Sequence, residues 1–224
     1  MRLLDEPAKT LRVDAARNRG RIVDAATAAF AERGLDVPLE DVAGEAGVGI
    51  ATLYRRFPTR EDLIAACFER RLAEYARAAE EALEAPEAWS GFCAYVERIC
   101  AMQAADRGLR DVLTRTFPRA QVLEAHRARG YELSVQLIER AKAEGTLRPD
   151  VVPEDLALLL MANAGVVQAA GSAAPDAWRR FVALMLDGLR AEGASPLPPP
   201  LTPRQVMRAM RRLAKPSSEP RSTP

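Results

Sequence analysis

Leu39–Phe57, LEDVAGEAGVGIATLYRRF, decides how this chain is read. Leu39, Val42, Ala43 and Ala46 stand at i, i+3, i+4 and i+7, one face of a helix. Gly47 interrupts that face, where a residue able to take a positive φ ends a helix at little cost. A second helical period follows, with Ile50, Leu53, Tyr54 and Phe57 together and Ala51, Thr52 and Arg55 facing elsewhere. Two short helices about a tight turn, the second with a small, polar and cationic outer side, suit insertion into a DNA major groove. Periodicity alone favours an ordinary helical hairpin.

The flanks change that balance. Upstream, Asn18–Gly34 carries Ile22, Val23, Ala26, Ala29 and Phe30 on one side and stops at Gly34. Downstream, Pro58 cannot continue a helix, and Thr59 with Asp62 three residues on makes a capping-box-like start. A helix ending Phe30-x-x-x-Gly34, then Asp41–Val48, then Thr52–Leu63 with its TLY and Phe57, resembles the N-terminal domain of the TetR family of bacterial transcriptional regulators. The resemblance spans residues 18–64, and spacing, turn residues and caps agree within it. It implies a three-helix helix-turn-helix head preceded by an arm, residues 1–17, in a homodimer that binds a double-stranded DNA operator.

Charge in the first sixty residues is nearly balanced, so its placement matters more than its sum. Arg12, Arg17, Arg19 and Arg21 cluster at the start of the first helix, and Arg55, Arg56 and Arg60 at the far end of the hairpin. Two such clusters are spaced to grip phosphates on either side of a groove, or to form solvated faces. Carried over position by position, the resemblance puts Gly49, Ile50, Ala51 and Thr52 at base edges. It puts the Tyr54 hydroxyl, Arg56 and Arg60 at phosphates, Arg55 at a base or phosphate, and Arg17 and Arg19 in a minor groove. Gly49 and Ala51 have no hydrogen-bonding side chain, so direct readout falls on Thr52, Arg55 and the arm. Ile50 stays ambiguous between core packing and a thymine methyl. Leu39 departs from the family pattern, which commonly has Thr there to approach a phosphate.

The remaining chain reads as all-α. Helices are expected over residues 60–85, from Trp89 to Gly108, Leu109–Phe117, Ala120–Glu144, Pro153–Ala170 and Pro175–Glu192. Six helices behind a three-helix head agree with the family architecture, in which residues 65–192 form a ligand-binding and dimerisation domain. For the dimer, the resemblance selects Leu156, Leu159, Leu160, Val166 and Val167 from one helix and Phe181, Met185 and Leu189 from the next. Ordinary intrachain core explains the same residues. Polar and aromatic candidates for a mainly apolar effector cavity are Trp89, Phe92, Tyr95, Gln103, Thr116, His126, Tyr131, Asn163 and Gln168. Gly145–Asp155 and Trp178–Arg190 further resemble the SbtR-like C-terminal-domain branch, which names no inducer.

Composition sets bounds. The chain has 224 residues and a formal net charge of +1, enough length for a sizeable core and no global basic surface. No apolar run is long enough to span a bilayer and the first residues lack the apolar core of a signal peptide, so a cytoplasmic protein with no membrane partner is expected. Cys67, Cys93 and Cys100 show no CxxC pair and read as free thiols. No His/Cys/Glu group indicates a metal, and no cofactor motif is present. The extension, residues 193–224, begins with a stiff Pro-rich linker. Thr202-Pro203 then starts a basic helix with Arg204, Arg208, Arg211, Arg212 and Lys215 and an apolar stripe of Val206, Met207, Met210 and Leu213. Such a helix could touch DNA, an acidic partner or the protein's own surface, and residues 216–224 are expected to be disordered. The expected function is a ligand-responsive repressor, not an enzyme: one histidine and no nucleophile–base motif give catalysis little support. The alternative is a helical carrier or interaction protein without an operator.

Overall fold

A computed structural model describes the backbone of residues 6–214 and the side-chain surroundings of residues 17–214. The arm residues 1–5, Lys215 and the tail 216–224, together with the side chain of Arg12, lie outside the described residues. Ten helices and no strand occur among the described residues, in agreement with the all-α expectation. In chain order they are α1 Glu6–Arg33, α2 Leu39–Glu45, α3 Ile50–Arg56, α4 Arg60–Leu83 and α5 Ala88–Ala105. Then follow α6 Arg107–Thr114, α7 Gln121–Ala143, α8 Pro153–Ala170, α9 Ala177–Gly188 and α10 Pro203–Leu213.

The first helix corrects one expectation. The segment read as an arm over residues 1–17 is helical from Glu6, continuous with the rest of α1. Arg17 therefore sits on the same helix as Arg19 and not on an arm before it. Periodicity could not place this start, because residues 6–17 carry no interrupting Gly and only one Pro, Pro7, within the first turn where it is tolerated.

Local chemistry accounts for the joints. At the end of α2, Gly47 takes φ +62°, its N–H donates to Gly44 O at 3.0 Å, and Val48 N–H donates to Ala43 O at 3.0 Å. This double closure satisfies the helix's last carbonyls and turns the chain into α3. At the start of α4, Thr59 Oγ1 accepts from Asp62 N–H at 3.2 Å while Asp62 Oδ2 accepts from Thr59 N–H at 2.9 Å, the capping box read from the sequence. Thr202 and Gln205 build the same reciprocal cap on α10.

Two apolar clusters fill the interior. One joins α1–α3 to α4, α6 and the start of α7 through Ile22, Phe30, Leu53, Phe57, Phe68 and Leu109. The other lies between α4, α5, α7, α8 and α9, centred on Phe92, Tyr95, Ile99, Leu137 and Trp178. Gly108 lies against the first cluster, where α6 meets α1 and α4: a Cβ there would lie 2.6 Å from Phe68 Cζ and 2.9 Å from Phe30 O. Valine at that position must push α6 away from α1 and α4. Gly108→Val is expected to cost about 1–3 kcal/mol and to lower the thermal midpoint by several degrees, read by circular dichroism. Gly20, interior to α1 with nothing within 4 Å of its would-be Cβ, should respond oppositely. Gly20→Ala is expected to stabilise by about 0.5–1 kcal/mol through helix propensity.

Candidate DNA interface and effector cavity

The helical hairpin is held from inside and bare outside. Leu53 is fully buried, Ile50 half-buried, and Phe57 buried under the Arg19 guanidinium, 5.3 Å from its ring centroid. Gly49, Ala51, Tyr54, Arg55 and Arg56 are exposed and Thr52 half-buried, so α3 presents one continuous outer face. Arg55 and Arg56 make no ion pair among the described residues. Arg17 is also exposed. Ile50, half-buried and packed against the core, keeps both of its readings.

Two arginines of the sequence clusters have structural partners. Arg21 donates from Nη2 to Gly47 O at 3.2 Å, tying α1 to the turn of the hairpin. Arg60 donates from Nη1 to Leu35 O at 2.8 Å and to Val37 O at 2.7 Å, holding the loop between α1 and α2. Leu39 is buried at the start of α2, which begins without a side-chain cap. The first turn of α2 carries Glu40 and Asp41, which complement the helix dipole instead.

That same loop, Gly34–Pro38, is gripped by α6. Asp111 Oδ2 accepts from Leu35 N–H at 3.0 Å, and Arg115 pairs with Asp36 through two contacts of 2.9 and 3.0 Å. Gly34 has φ +84°, and a Cβ on it would stand 3.0 Å from Asp111 Oδ2, so glycine serves both the turn and the approach of α6. Behind α6, Arg127 of α7 donates from Nη2 to Val112 O at 3.3 Å and to Arg115 O. Glu61 of α4 accepts from Arg119 and Ala120 N–H at 2.7 and 3.1 Å, fixing the α6–α7 connection.

Arg127 is also part of the wall of a cavity of about 480 Å³ between α4, α5, α6, α7, α8 and α10, with Val112 and Leu113 of α6 on the wall. Its walls are mainly apolar: Leu72, Ile99, Leu123, Leu156, Leu160 and Met161 among others. Polar groups converge at few points. The Tyr95 hydroxyl donates to that of Tyr75 at 2.9 Å, and burial raises both phenols above their ordinary pKa. Burial likewise lowers the Arg127 guanidinium, an effect opposed by Glu124 at 3.6 Å. The Tyr131 hydroxyl donates to Glu154 at 3.3 Å; Glu154 is buried, with no cation in salt-bridge range among the described residues. Gly130 lets the Tyr75 ring reach this wall, since a Cβ there would be 2.7 Å from Tyr75 Cε1.

Of the nine cavity candidates, Tyr95, His126 and Tyr131 line this space. Gln103 and Asn163 are fully buried one turn beyond the wall residues Ile99 and Leu160 and bond to each other, Nδ2 to Oε1, at 2.9 Å. That pair leaves Gln103 Nε2 and Asn163 Oδ1 without partners. Trp89 and Phe92 stack at 5.9 Å with Arg190 over the indole, off the cavity. Thr116 is buried in the α6–α7 connection and Gln168 is exposed near the end of α8, neither on the wall. Tyr75, Arg127 and Glu154 were missed. For Arg127 a signal existed: Leu123, Arg127, Gly130, Ser134, Leu137 and Ala141 follow one helical stripe, so a charge stands among inward positions.

The face proposed for dimerisation divides. Leu156, Leu159 and Leu160 are buried within the chain, packed in the second apolar cluster, and the half-buried Val166, Val167, Phe181 and Leu189 lean on it. Met185 is exposed, as are Leu158 and Leu184, which the sequence analysis passed over. Leu158, Ala162, Gly165 and Ala169 line the exposed side of α8 beside Leu184, Met185 and Gly188 of α9. Burial pushes the thiols of Cys67 and Cys93 up to about 11 and that of Cys100 up to about 12, which leaves them poor nucleophiles at neutral pH. No group of three metal-ligating side chains occurs among the described residues, and no described helix is long and apolar enough to cross a membrane.

Comparison with known proteins agrees with this architecture. The model of bacterial regulatory proteins of the TetR family matches residues 22–67, and that of the C-terminal domain of SbtR-like transcriptional regulators matches residues 85–191. A TetR transcriptional regulator from Streptomyces coelicolor is 31% identical, over 78% of this chain and 99% of its own, with a TM-score of 0.50. The fatty acid degradation regulator FadR from Bacillus halodurans shares the fold at 20% identity, covering 76% and 99%, with a TM-score of 0.55. The transcriptional regulator FadR from Bacillus subtilis, solved with stearoyl-CoA, does so at 16% identity, covering 75% and 98%, with a TM-score of 0.55. No curated protein matches the chain. A helix-turn-helix head with its outer face bare, fused to a cavity-bearing helical body and matched over both parts, makes this chain a member of the TetR family of transcriptional regulators.

Proposed function

We propose that the chain is a homodimeric repressor whose two heads read a near-palindromic operator and are released by a small, mainly apolar effector. Residues 18–64 act as the DNA-binding unit, residues 65–192 as the effector and dimer unit, and residues 193–224 as an extension. The observation that carries this reading is a continuous bonded path from cavity to head. Arg127, on the cavity wall, holds Val112 O and Arg115 O; Arg115 holds Asp36, and Asp111 holds Leu35, in the loop that Arg60 clasps from α4. A guest that shifts Arg127 acts on α6, and α6 acts on the base of the hairpin. The shift is bounded by the guest's different affinities for the two arrangements.

On the DNA side, Thr52 and Arg55 carry base readout, Tyr54 and Arg56 hold phosphates, and Gly49, Ile50 and Ala51 let the backbone approach the groove. Arg17 and Arg19 reach the neighbouring phosphates or minor groove from a helical α1. Arg60 acts through the loop carbonyls it binds and so positions the head. On the dimer side, Leu158, Leu184 and Met185 with the small residues around Gly165 and Gly188 form the mating surface, because exposed apolar groups of that kind mark association sites. A cytoplasmic location follows from the DNA partner. The family is one of DNA-binding regulators, so the chain acts by binding and not by catalysis.

Selection of bound sequences from a random duplex pool, followed by titration at two salt concentrations, tests the reading. A palindrome with half-site centres about 34–36 Å apart and steep salt dependence is expected; no enrichment by a folded dimer would contradict it. Variants then separate roles. Arg55→Ala and Tyr54→Phe should weaken operator binding with the thermal midpoint unchanged, whereas Arg60→Ala should lower that midpoint as well. The Arg60 loss is about 1–3 kcal/mol, the usual cost of leaving a buried acceptor unpaired. Leu184→Glu with Met185→Glu should convert the dimer to monomer by analytical ultracentrifugation and abolish palindrome binding; a persistent dimer would place the interface elsewhere.

A further inference from the structure

Beyond residue 191, where the match to the SbtR-like C-terminal domain ends, α10 supplies one wall of the cavity. Pro203, Val206, Met207 and Met210 of α10 line the cavity, Val206 and Met210 buried and Met207 half-buried. The opposite side of α10 exposes Arg204, Arg208, Arg211 and Arg212. Among its helix partners α10 packs chiefly on α8. At its far end Arg127 Nη1 approaches Met210 Sδ at 3.8 Å, so the guanidinium that holds α6 also touches this wall. The linker is moored at its start: Arg148, clamped bidentately by Asp150 at 2.6 and 3.0 Å, donates to Ser195 O and to Gly188 O, and Asp150 also accepts from the Leu197 backbone. Prolines 196, 198, 199 and 200 then keep the strap extended up to the Thr202 cap. An eleven-residue helix does not persist alone in water, so α10 is helical because it is docked.

We propose that α10 is a tail-borne lid that completes the effector site: it closes over an apolar guest, and Val206, Met207 and Met210 are guest-contacting, specificity-determining residues. This rests on the effector-cavity reading above. The methionines suit the task, since their unbranched, polarizable side chains repack around guests of different shape. The mooring at Arg148 lets the helix leave and return without losing its place. The Met210–Arg127 contact puts lid closure in touch with the path to the head.

The test uses the full chain and a neutral, apolar aromatic amine, N-phenyl-1-naphthylamine, whose fluorescence rises on leaving water. Stopped-flow dissociation of this probe is compared between the wild type, the undocking variant Val206→Asp with Met210→Asp, and the mild variant Met210→Ala. Trypsin cleavage at the α10 arginines is followed with and without probe, and duplex selection is run in parallel. Expected are slow probe release and probe-dependent protection of α10 in the wild type. Release should be at least tenfold faster and cleavage rapid in the double variant, with Met210→Ala between them. Equal release rates in all three proteins would overturn the lid, as would α10 cleavage that the probe does not slow, or no probe uptake by the wild type. Operator enrichment by the same proteins reports separately on the DNA-binding reading and stands or falls without the lid.

Discussion

The five-residue loop Gly34–Pro38 is the point on which the rest of the structure hangs. It joins α1 to the hairpin, and its polar groups are held from both sides: by Arg60 at the head's own end, and from the body by Asp111 of α6 and Arg115 just past it. Isolated surface pairs contribute little to stability. This set differs because Arg115 and Asp111 are largely shielded and share an ion pair at 3.3 Å, while three of the bonds go to backbone. The head cannot tilt on the body without exchanging several of these contacts at once. A discrete rearrangement, not a gradual flex, is what such packing favours.

The same geometry explains why one side chain, Arg127, matters more than its position suggests. Its guanidinium is largely withdrawn from water, at a cost that good partners offset. The carbonyls of Val112 in α6 and of Arg115 just past it, with the neighbouring Glu124, provide them, while Nε is left without a hydrogen-bond partner. A half-buried cation so placed, with one face on an apolar cavity, responds to what fills that cavity. The path through α6 is a chain of contacts; coupling along it requires that its two ends bias the same two arrangements.

What could be read from the chain divides along physical lines. Periodicity and local caps depend on residues a few positions apart, so α2, the Gly47 turn, α3 and the Thr59–Asp62 box were legible, as was the Thr202 start of α10. Long-range partners were not. Arg60 looked like a phosphate ligand because nothing near it in sequence announces Leu35 O and Val37 O as its acceptors. Leu156, Leu159 and Leu160 share a stripe that serves a core, an interface or both, and the structure buries them within one chain. Aromatic and amide side chains suggested the cavity, yet only Tyr95, His126 and Tyr131 reach it, because the crossing angles that aim each helix are set by packing. The wall supplied by α10 was invisible: an amphipathic stripe shows that a helix docks, not where.

The central claim is that cavity and hairpin are joined through α6. Amide hydrogen exchange of the full chain, with the cavity empty and then filled with N-phenyl-1-naphthylamine, addresses it most directly. The account predicts altered protection not only along α7 and α10 but also in α6 and the Gly34–Pro38 loop, including the Leu35 amide bonded to Asp111. Changes confined to the cavity walls, the lining part of α6 included, with that loop untouched, would contradict it.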